Sequence, residues 1–417
     1  MKYNPFNPNS VVSTNLFAGR KRYIFQMIRK LEQVKMGMPS SFFLFGERGI
    51  GKTALAKLLK HIAESKDTMF GNLNFLTSYY TAEKGQTIGS VLQSSLNELT
   101  DRLPKTALEV LSTKLGAVFK NGKFSIGPFS LEMASQPTPE VVTILKDQIV
   151  SILSNIFISL KSSENQTNEK DGVLIIIDEM QNVSDLSLCA QLLRGIITTL
   201  DVKEMGLISF LLIGYDDAAF FEGDLSARRQ FDTICLEVMS LEEAGEAMTK
   251  GFQAAGVGHD EHELRKNIIA TGGYPHAIQL LAHNLLEEDN NDFIGQDDWN
   301  IALLRTALEL QKKDFADMYH FETKPTVKES LLDVLAAVGK PLSKTELAEK
   351  SGVKNVYQYL PDLRKQGSIK QSQDGAKIEL HSQLFRTSIL LKILPRISEE
   401  GYLKNFIEEE FHSEIAK

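Results

Sequence analysis

A short glycine-rich run that ends in lysine and threonine limits this chain to few folds. It has the pattern G-x-x-x-x-G-K-T and consists of Gly46, Glu47, Arg48, Gly49, Ile50, Gly51, Lys52 and Thr53. Glycines at these spacings let successive backbone N–H groups converge on a phosphate at the positive end of a helix dipole. The run lies between an apolar segment, Ser41–Phe45, and a helical pattern, Thr53–Ala63. This context predicts a nucleoside triphosphate site on an α/β fold.

The residues in and after this loop have distinct predicted roles. Lys52 supplies a mobile cation for the β- and γ-phosphates, the Thr53 hydroxyl ligates Mg²⁺, and Ala54 completes the nucleotide contacts. A second acidic anchor follows a continuously apolar run, where Asp178 would hold the metal directly or through water. Glu179 is placed to orient and activate the attacking water. Together they predict bound, hydrolysable ATP with Mg²⁺.

Between Ser41 and about Leu236, short apolar runs alternate with helical patterns, which is typical of a parallel sheet covered by helices. The predicted strands are Ser41–Phe45, Leu73–Tyr79, Val173–Asp178, Ile208–Ile213 and Phe231–Leu236. Asn121-Gly122 lies between two apolar runs and predicts a hairpin inserted into this domain.

After Leu236 the pattern is helical, and from Lys324 to Lys392 the charge turns positive, with 12 Lys and Arg against 7 Asp and Glu. We therefore predict four segments along the chain. They are an α/β domain at 1–239 with the hairpin insertion at about 116–135, a helical domain at 240–322, a winged helix at 323–395 and an acidic helical tail at 396–417.

The winged-helix prediction depends on local signals. A capping box at Ser343 opens one helix, Ser351-Gly352 supplies a turn, and Asn355–Gln366 forms a second helix that Pro361 must bend or restart. Two short strands then form the wing. Basic and amide side chains here could meet DNA phosphates and bases, whereas winged helices also contact proteins, so both interpretations stay open. These side chains are Lys350, Lys354, Asn355, Tyr357, Gln358, Arg364, Lys365, Lys370 and Lys377.

The loop and the Asp178-Glu179 pair resemble the AAA+ and STAND branch of the P-loop ATPases, most of all the bacterial Orc1/Cdc6-like group. The resemblance implies a parallel sheet with an added strand between the two motif strands, a helical lid and a C-terminal winged helix. The run Phe17-Ala-Gly-Arg20 matches an element that lies against the adenine, so Phe17 and Arg20 would help form the base pocket.

Other elements match this family less fully. Asp216 stands where a sensor-1 Asn or Thr is expected. Arg228 and Arg229 resemble an arginine finger acting on a neighbouring subunit, with solvated basic residues as the alternative. Pro275 would pack near the base, and His276 occupies the place where many AAA+ proteins carry arginine, which favours a STAND-like switch. A structural helix start after Gly272-Gly273 is the alternative for this last motif.

The resemblance implies an ATP-driven switch that forms a homo-oligomer and engages DNA or a partner protein. Two alternatives are a STAND-like defence ATPase acting with a separate effector, and a nucleotide-gated DNA-binding regulator with little turnover. The polar segment Met1–Val12 does not fit a signal peptide, and no run approaches the ~20 apolar residues of a membrane span. The two cysteines, Cys189 and Cys235, are predicted to be buried in a reducing compartment. We therefore expect a cytoplasmic protein without membrane contact.

Overall fold

The computed structural model describes residues 3–13, 16–66, 72–103, 105–115, 119–120, 123–124, 139–161, 170–222, 224–321, 326–372 and 376–393. Several predicted features lie outside these residues, in whole or in part. They are the Asn121-Gly122 turn, most of the hairpin insertion, the junction at 322–325, the residues 373–375 between the two predicted wing strands, and the acidic tail. The chain divides into two compact units, Arg20–Glu237 and Met1–Gly19 with Val238–Lys417.

The unit Arg20–Glu237 contains α1–α7 and β1–β7. Its strands are β1 (Ser41–Phe45), β2 (Phe75–Thr81), β3 (Phe119–Lys120), β4 (Lys123–Phe124), β5 (Gly172–Asp178), β6 (Ile208–Gly214) and β7 (Phe231–Cys235). Its helices are α1 (Lys21–Lys35), α2 (Lys52–Glu64), α3 (Ile88–Thr100), α4 (Lys105–Lys114), α5 (Pro139–Lys161), α6 (Leu186–Val202) and α7 (Asp217–Phe221).

Five of these strands form one sheet in the order β2-β5-β6-β1-β7, and every neighbouring pair is parallel. The carboxyl ends of β1, β5 and β6 therefore meet at one edge, where the loop residues and Asp178 follow their strands. β6 lies between β1 and β5, as the family resemblance implies. The predicted α/β P-loop fold is confirmed, and the strand boundaries differ from the predicted ones by two residues at most.

Apolar side chains on both faces of this sheet form the core of the unit, which explains the unbroken apolar run of β5. Contrary to the expectation from the sequence that no run approaches this length, one helix segment, Val142–Leu160 within α5, has the length and mean hydropathy of a membrane span. Its Ile149, Ile152 and Ile156 are fully buried, and α5 packs on α4 and α6. The segment therefore also fits a core helix of this domain.

The second unit is mainly helical. Its strands are β8 (Gly258–His259), β9 (Phe293–Ile294), β10 (Ile369–Gln371) and β11 (Ile378–Leu380). Its helices are α8 (Leu241–Ala255), α9 (Glu261–Ile268), α10 (Pro275–Glu288), α11 (Gln296–Gln311), α12 (Val327–Val338), α13 (Lys344–Ser351), α14 (Leu360–Lys365) and α15 (Gln383–Ile393).

One hydrophobic core runs through this unit, from the N-terminal segment to α15. Phe6 enters it beside α8, where its ring meets Phe252 edge-on at 5.7 Å between centroids. Gly251 makes this contact possible, because a Cβ there would lie 2.0 Å from the Phe6 ring. The helices after Val238 and the C-terminal helices thus share apolar packing.

The C-terminal part has a helix, a turn and a second, interrupted helix. The single helix predicted at Asn355–Gln366 is instead a 3₁₀ turn, Val356–Gln358, followed by α14. Pro361 lies in the first turn of α14, where its missing N–H removes no helical bond. β10 and β11 then pair as an antiparallel hairpin.

Of the two cysteines predicted to be buried, Cys189 is buried and Cys235 is exposed. Cys235 ends β7, at the edge of the sheet, where its burial pattern alternates. The prediction for Cys235 was therefore wrong.

His381 is expected to make the stability of the second unit pH-dependent. Its ring is 6% exposed and stacks on Tyr274 at 4.1 Å between centroids. Burial, with a smaller contribution from Lys370, lowers the pKa of His381 to about 4, from an ordinary value of 6.5. The unfolded chain binds the proton more readily, so the free energy of unfolding should fall as pH drops from about 6.5 to about 4, by up to about 3 kcal/mol.

Denaturant unfolding of the wild-type chain and of His381→Phe across this pH range tests the expectation. Phenylalanine keeps an aromatic ring in the stack and cannot be protonated. Carboxylate titration is common to both chains and cancels in the difference. Parallel pH profiles for the two chains would contradict the role of His381.

Candidate nucleotide site

The glycines of the loop adopt backbone conformations that other residues avoid. Gly46, Gly49 and Gly51 have φ values of 148°, 75° and 93°. At Gly46 a Cβ would also lie 2.6 Å from the carbonyl oxygen of Leu236. Glycine is therefore required on steric grounds, and the loop curls over the start of α2 as a phosphate cradle needs.

Lys52, the first residue of α2, lies inside this loop. Its ammonium donates to the carbonyl oxygens of Gly46 at 2.7 Å and Glu47 at 2.8 Å. It also lies 4.8 Å from the ring centroid of Tyr215, a cation–π distance. Burial lowers the pKa of Lys52 to about 8, against the opposing effect of the Glu179, Asp178 and Glu47 carboxylates.

Asp178 is the point where three elements of the site meet. Its Oδ2 accepts hydrogen bonds from Thr53 Oγ1 at 2.8 Å and from the Tyr79 hydroxyl at 2.6 Å. Its Oδ1 accepts from the backbone N–H of Glu179 at 2.8 Å. The side chains of Thr53 and Asp178, 125 residues apart in sequence, are thus in direct contact, as their predicted shared role requires.

Glu179 has an unusual backbone for its residue type, with φ at 59° in the left-handed region. Its carboxylate accepts a hydrogen bond from the side-chain amide of Gln181. The other end of that amide, Gln181 Oε1, is buried without a hydrogen-bond partner among the described residues. The left-handed turn at Glu179 thus coincides with a hydrogen bond between its carboxylate and the Gln181 amide.

The polar groups fit a magnesium ion bound with nucleotide. Mg²⁺ is usually held by one or two carboxylates with water and phosphate oxygens, rather than by an all-protein cage. Thr53 and Asp178 offer one hydroxyl and one carboxylate next to the phosphate loop. Within the described residues, no group of three or more His, Cys, Asp and Glu could hold a metal by itself.

Sequence reasoning missed three residues of this site. Tyr79 holds Asp178, Gln181 holds Glu179, and the Tyr215 ring lies by the Lys52 ammonium. All three lie within about three residues of the carboxyl end of a sheet strand. A polar residue at these strand ends is the signal that could have found them. Burial and the Asp178 carboxylate raise the pKa of the Tyr79 phenol, so it stays a hydrogen-bond donor.

Arg20, predicted to help form the base pocket, is buried and contacts the phosphate loop. Its guanidinium donates to the carbonyl oxygens of Ile50, at 3.1 Å, and of Glu237. It therefore braces the loop backbone next to Gly51. The neighbouring loop residues Glu47 and Arg48 are exposed.

The predicted sensor and finger residues lie near the ends of different sheet strands, β6 and β7. Asp216 follows β6 at the carboxyl edge and caps α7 by accepting from the N–H of Ala218 at 2.9 Å. Arg228 and Arg229 precede β7, at the amino edge, and both are exposed. Arg228 is paired with Asp217 at 3.2 Å.

Phe17, Pro275 and His276 belong to the other unit. The carbonyl oxygen of Phe17 accepts from Lys250 Nζ at 2.9 Å. Pro275 is the first residue of α10, and Tyr274 separates it from the glycine pair. The imidazole of His276 is hydrogen-bonded to Asp314.

Comparison with known families and structures places the loop and Asp178 in one domain. Residues 16–208 match the family model described as AAA ATPase domain. The loop and Asp178 thus lie in a segment that is similar to AAA ATPase domains. The match runs from just before Phe17 to the start of β6 and includes every loop residue, Asp178 and Glu179.

Similar solved structures extend over most of the chain. A Walker-type ATPase of Pyrococcus abyssi is 14% identical, with a TM-score of 0.51, and covers 89% of this chain and 98% of its own. The Cdc6p protein of Pyrobaculum aerophilum is 13% identical, with a TM-score of 0.44, over 97% and 98% of the two chains. No curated protein matches the chain. The AAA ATPase domain and the first of these structures establish the AAA+ P-loop fold.

Proposed function

We propose that this protein is an ATP-hydrolysing switch that couples Mg-ATP binding to oligomerisation and to DNA engagement by a C-terminal winged helix. One observation carries the proposal. In a matched AAA ATPase domain, the Thr53 hydroxyl and the Asp178 carboxylate meet at 2.8 Å beside a phosphate loop. Cytoplasmic localisation is part of the proposal.

Each group in the site has a proposed role. The N–H groups of Gly46–Ala54 and the Lys52 ammonium bind the phosphates. Thr53 and Asp178 hold Mg²⁺, which when bound offsets the charge of the β- and γ-phosphates. Glu179 accepts the proton of the attacking water, within reach of Gln181. Phe17 and Pro275 contact the base.

The position of the arginine pair supports an oligomer. Arg228 and Arg229 precede β7 at the amino edge of the sheet, whereas the phosphate loop follows β1 at the carboxyl edge. Both arginines are exposed, and the Arg228 guanidinium pairs with Asp217 rather than with a residue of the phosphate loop. We propose that the pair acts on the nucleotide of a neighbouring copy, as a finger supplied in trans.

A direct contact in the second unit supports coupling between the lid and the winged helix. Tyr274 lies between Gly273 and Pro275, next to a residue proposed to contact the base, and its ring stacks on His381. His381 follows β11, the second strand of the hairpin, and leads into α15. A shift of α10 would thus move the Tyr274 ring, and the packed His381 ring would transmit this movement to the β10–β11 hairpin.

A basic and aromatic surface after α13 supports DNA as the ligand. Tyr357 is 60% exposed, and Lys344 Nζ lies 5.3 Å from its ring centroid. Lys350 near the end of α13 and Lys354 and Gln358 after it are also exposed. Ammonium groups would contact phosphates, and Tyr357 and Gln358 offer an aromatic face and an amide.

Steady-state ATP turnover with and without duplex DNA at two salt concentrations tests this proposal. We expect DNA to raise turnover, with a smaller effect at the higher salt because bound counterions are released on binding. Replacing both Lys350 and Lys354 by alanine should weaken DNA binding at either salt. The plot of log affinity against log salt concentration should also become less steep, its slope losing about 2 in magnitude, since each phosphate contact contributes about 1 to that magnitude.

The matched control replaces Lys203 and Lys312, two exposed lysines elsewhere, by alanine, and this variant should keep the wild-type salt slope. Equal slopes for the two double variants would remove this surface from the DNA site. Turnover that DNA leaves unchanged, with no DNA retained, would make the C-terminal module a protein-docking domain.

A further inference from the structure

Tyr79 lies beside the metal-binding aspartate because β2 and β5 are parallel neighbours. Tyr79 is opposite Ile176, and Thr81 is opposite Asp178. Tyr79 is half-buried, and its hydroxyl donates to Asp178 Oδ2 at 2.6 Å. The strand pairing therefore brings the phenol of Tyr79 to the Asp178 carboxylate, and the same ring lies 5.9 Å from Lys57 Nζ of α2.

The Asp178 carboxylate is held from three directions. Thr53 and Tyr79 donate to Oδ2, and the Glu179 N–H donates to Oδ1. A carboxylate offers about four acceptor directions, so few remain for a metal ion or its water. Asp178 is only 3% exposed, so water cannot easily replace a missing donor.

The donors differ in what they do when nucleotide binds. The Thr53 hydroxyl is itself proposed to ligate Mg²⁺, and the Glu179 N–H belongs to a strained turn. Tyr79 belongs to a sheet strand and has no proposed role toward metal or phosphate. It is therefore the donor that can keep the carboxylate oriented while the others change.

We propose that Tyr79 is a positioning residue that fixes the Asp178 carboxylate for Mg²⁺. This inference rests on the proposed Mg-nucleotide function. Tyr79 acts through Asp178 and does not touch the metal itself. This positioning role predicts that loss of the Tyr79 hydroxyl weakens the response of nucleotide binding to Mg²⁺ and leaves metal-free nucleotide binding unchanged.

The experiment compares Tyr79→Phe with Tyr80→Phe in the full chain. Tyr80 is the next residue, is also half-buried, and its hydroxyl bonds to the side chain of Gln86 instead. Binding of fluorescently labelled ADP is measured in EDTA and across a Mg²⁺ titration. In Tyr79→Phe, the Mg²⁺ concentration for half-maximal tightening should rise about tenfold, as expected for one lost bond to a charged group.

Tyr80→Phe should match the wild-type titration. Unchanged binding in EDTA shows that each variant is folded at the loop. A wild-type Mg²⁺ midpoint in Tyr79→Phe, or an equal shift in both variants, would overturn the positioning role alone. Wild-type protein whose nucleotide binding does not respond to Mg²⁺ would overturn the proposed function and this inference together.

Discussion

Lys52→Ala is expected to abolish nucleotide binding, with affinity falling at least about a hundredfold. The ammonium lies inside the loop, where it contacts the Gly46 and Glu47 carbonyl oxygens. Without the ammonium, only backbone N–H groups of the loop bind the phosphates. The repulsion between the phosphates and the Asp178 and Glu179 carboxylates is then no longer offset by this cation. Titration of labelled ADP against each protein measures the effect.

Lys60→Ala is the matched control, because Lys60 lies on the same helix and its ammonium pairs with Glu64 at 2.9 Å. This variant should bind ADP as the wild type does. Thermal unfolding of both variants separates lost binding from lost folding. Labelled ADP that binds Lys52→Ala within a few-fold of wild type would refute the proposed phosphate role.

Glu179→Gln is expected to keep nucleotide binding and lose turnover by at least about a hundredfold. Glutamine preserves the size of the side chain and can still accept the hydrogen bond from Gln181. It cannot take a proton from water, and general-base catalysis typically contributes a factor of 10² to 10⁴. Steady-state ATP turnover and labelled-ADP binding, measured on the same preparation, separate the two effects.

Glu32→Gln, a neutralised exposed carboxylate on α1, controls for the change in net charge. It should hydrolyse ATP at the wild-type rate. If Glu179→Gln also hydrolysed ATP at that rate, Glu179 would not be the base. If it lost binding as well, the strained turn at Glu179 would be needed for the loop itself.

The two variants also separate the steps of the proposed switch. Lys52→Ala should hold the protein in its nucleotide-free state, and Glu179→Gln should hold it with ATP bound. Any oligomer that requires ATP should therefore be absent in the first variant and accumulate in the second. Sedimentation in the presence of ATP would show this difference directly.

Features that depend on neighbouring residues could be predicted from sequence. The loop from Gly46 to Thr53 needs positive φ at its glycines, and the structure has them. β1 begins and ends where predicted, because its apolar run is bounded by Pro39-Ser40 and by Gly46. The break near Pro361 follows from one covalent fact, the missing N–H of proline.

Features that depend on strand order and long-range packing required the tertiary structure. The Tyr79–Asp178 bond exists because β2 pairs with β5, a choice that no local pattern states. Cys189 and Cys235 both lie in apolar sequence, and only the position of β7 at the sheet edge explains why Cys235 is exposed. The Tyr274–His381 stack likewise joins residues far apart in sequence through a shared core.

The sequence by itself determined the groups from which we propose the chemistry of this protein: a phosphate loop, an aspartate proposed to bind the metal and an adjacent glutamate, each encoded within a few residues. The tertiary structure decided which side chains hold those groups in place, namely Tyr79, Gln181 and Arg20. The reason is physical. Backbone conformation in a tight loop follows from the residues in it, whereas a hydrogen bond between distant segments follows from how the whole sheet and its helices pack.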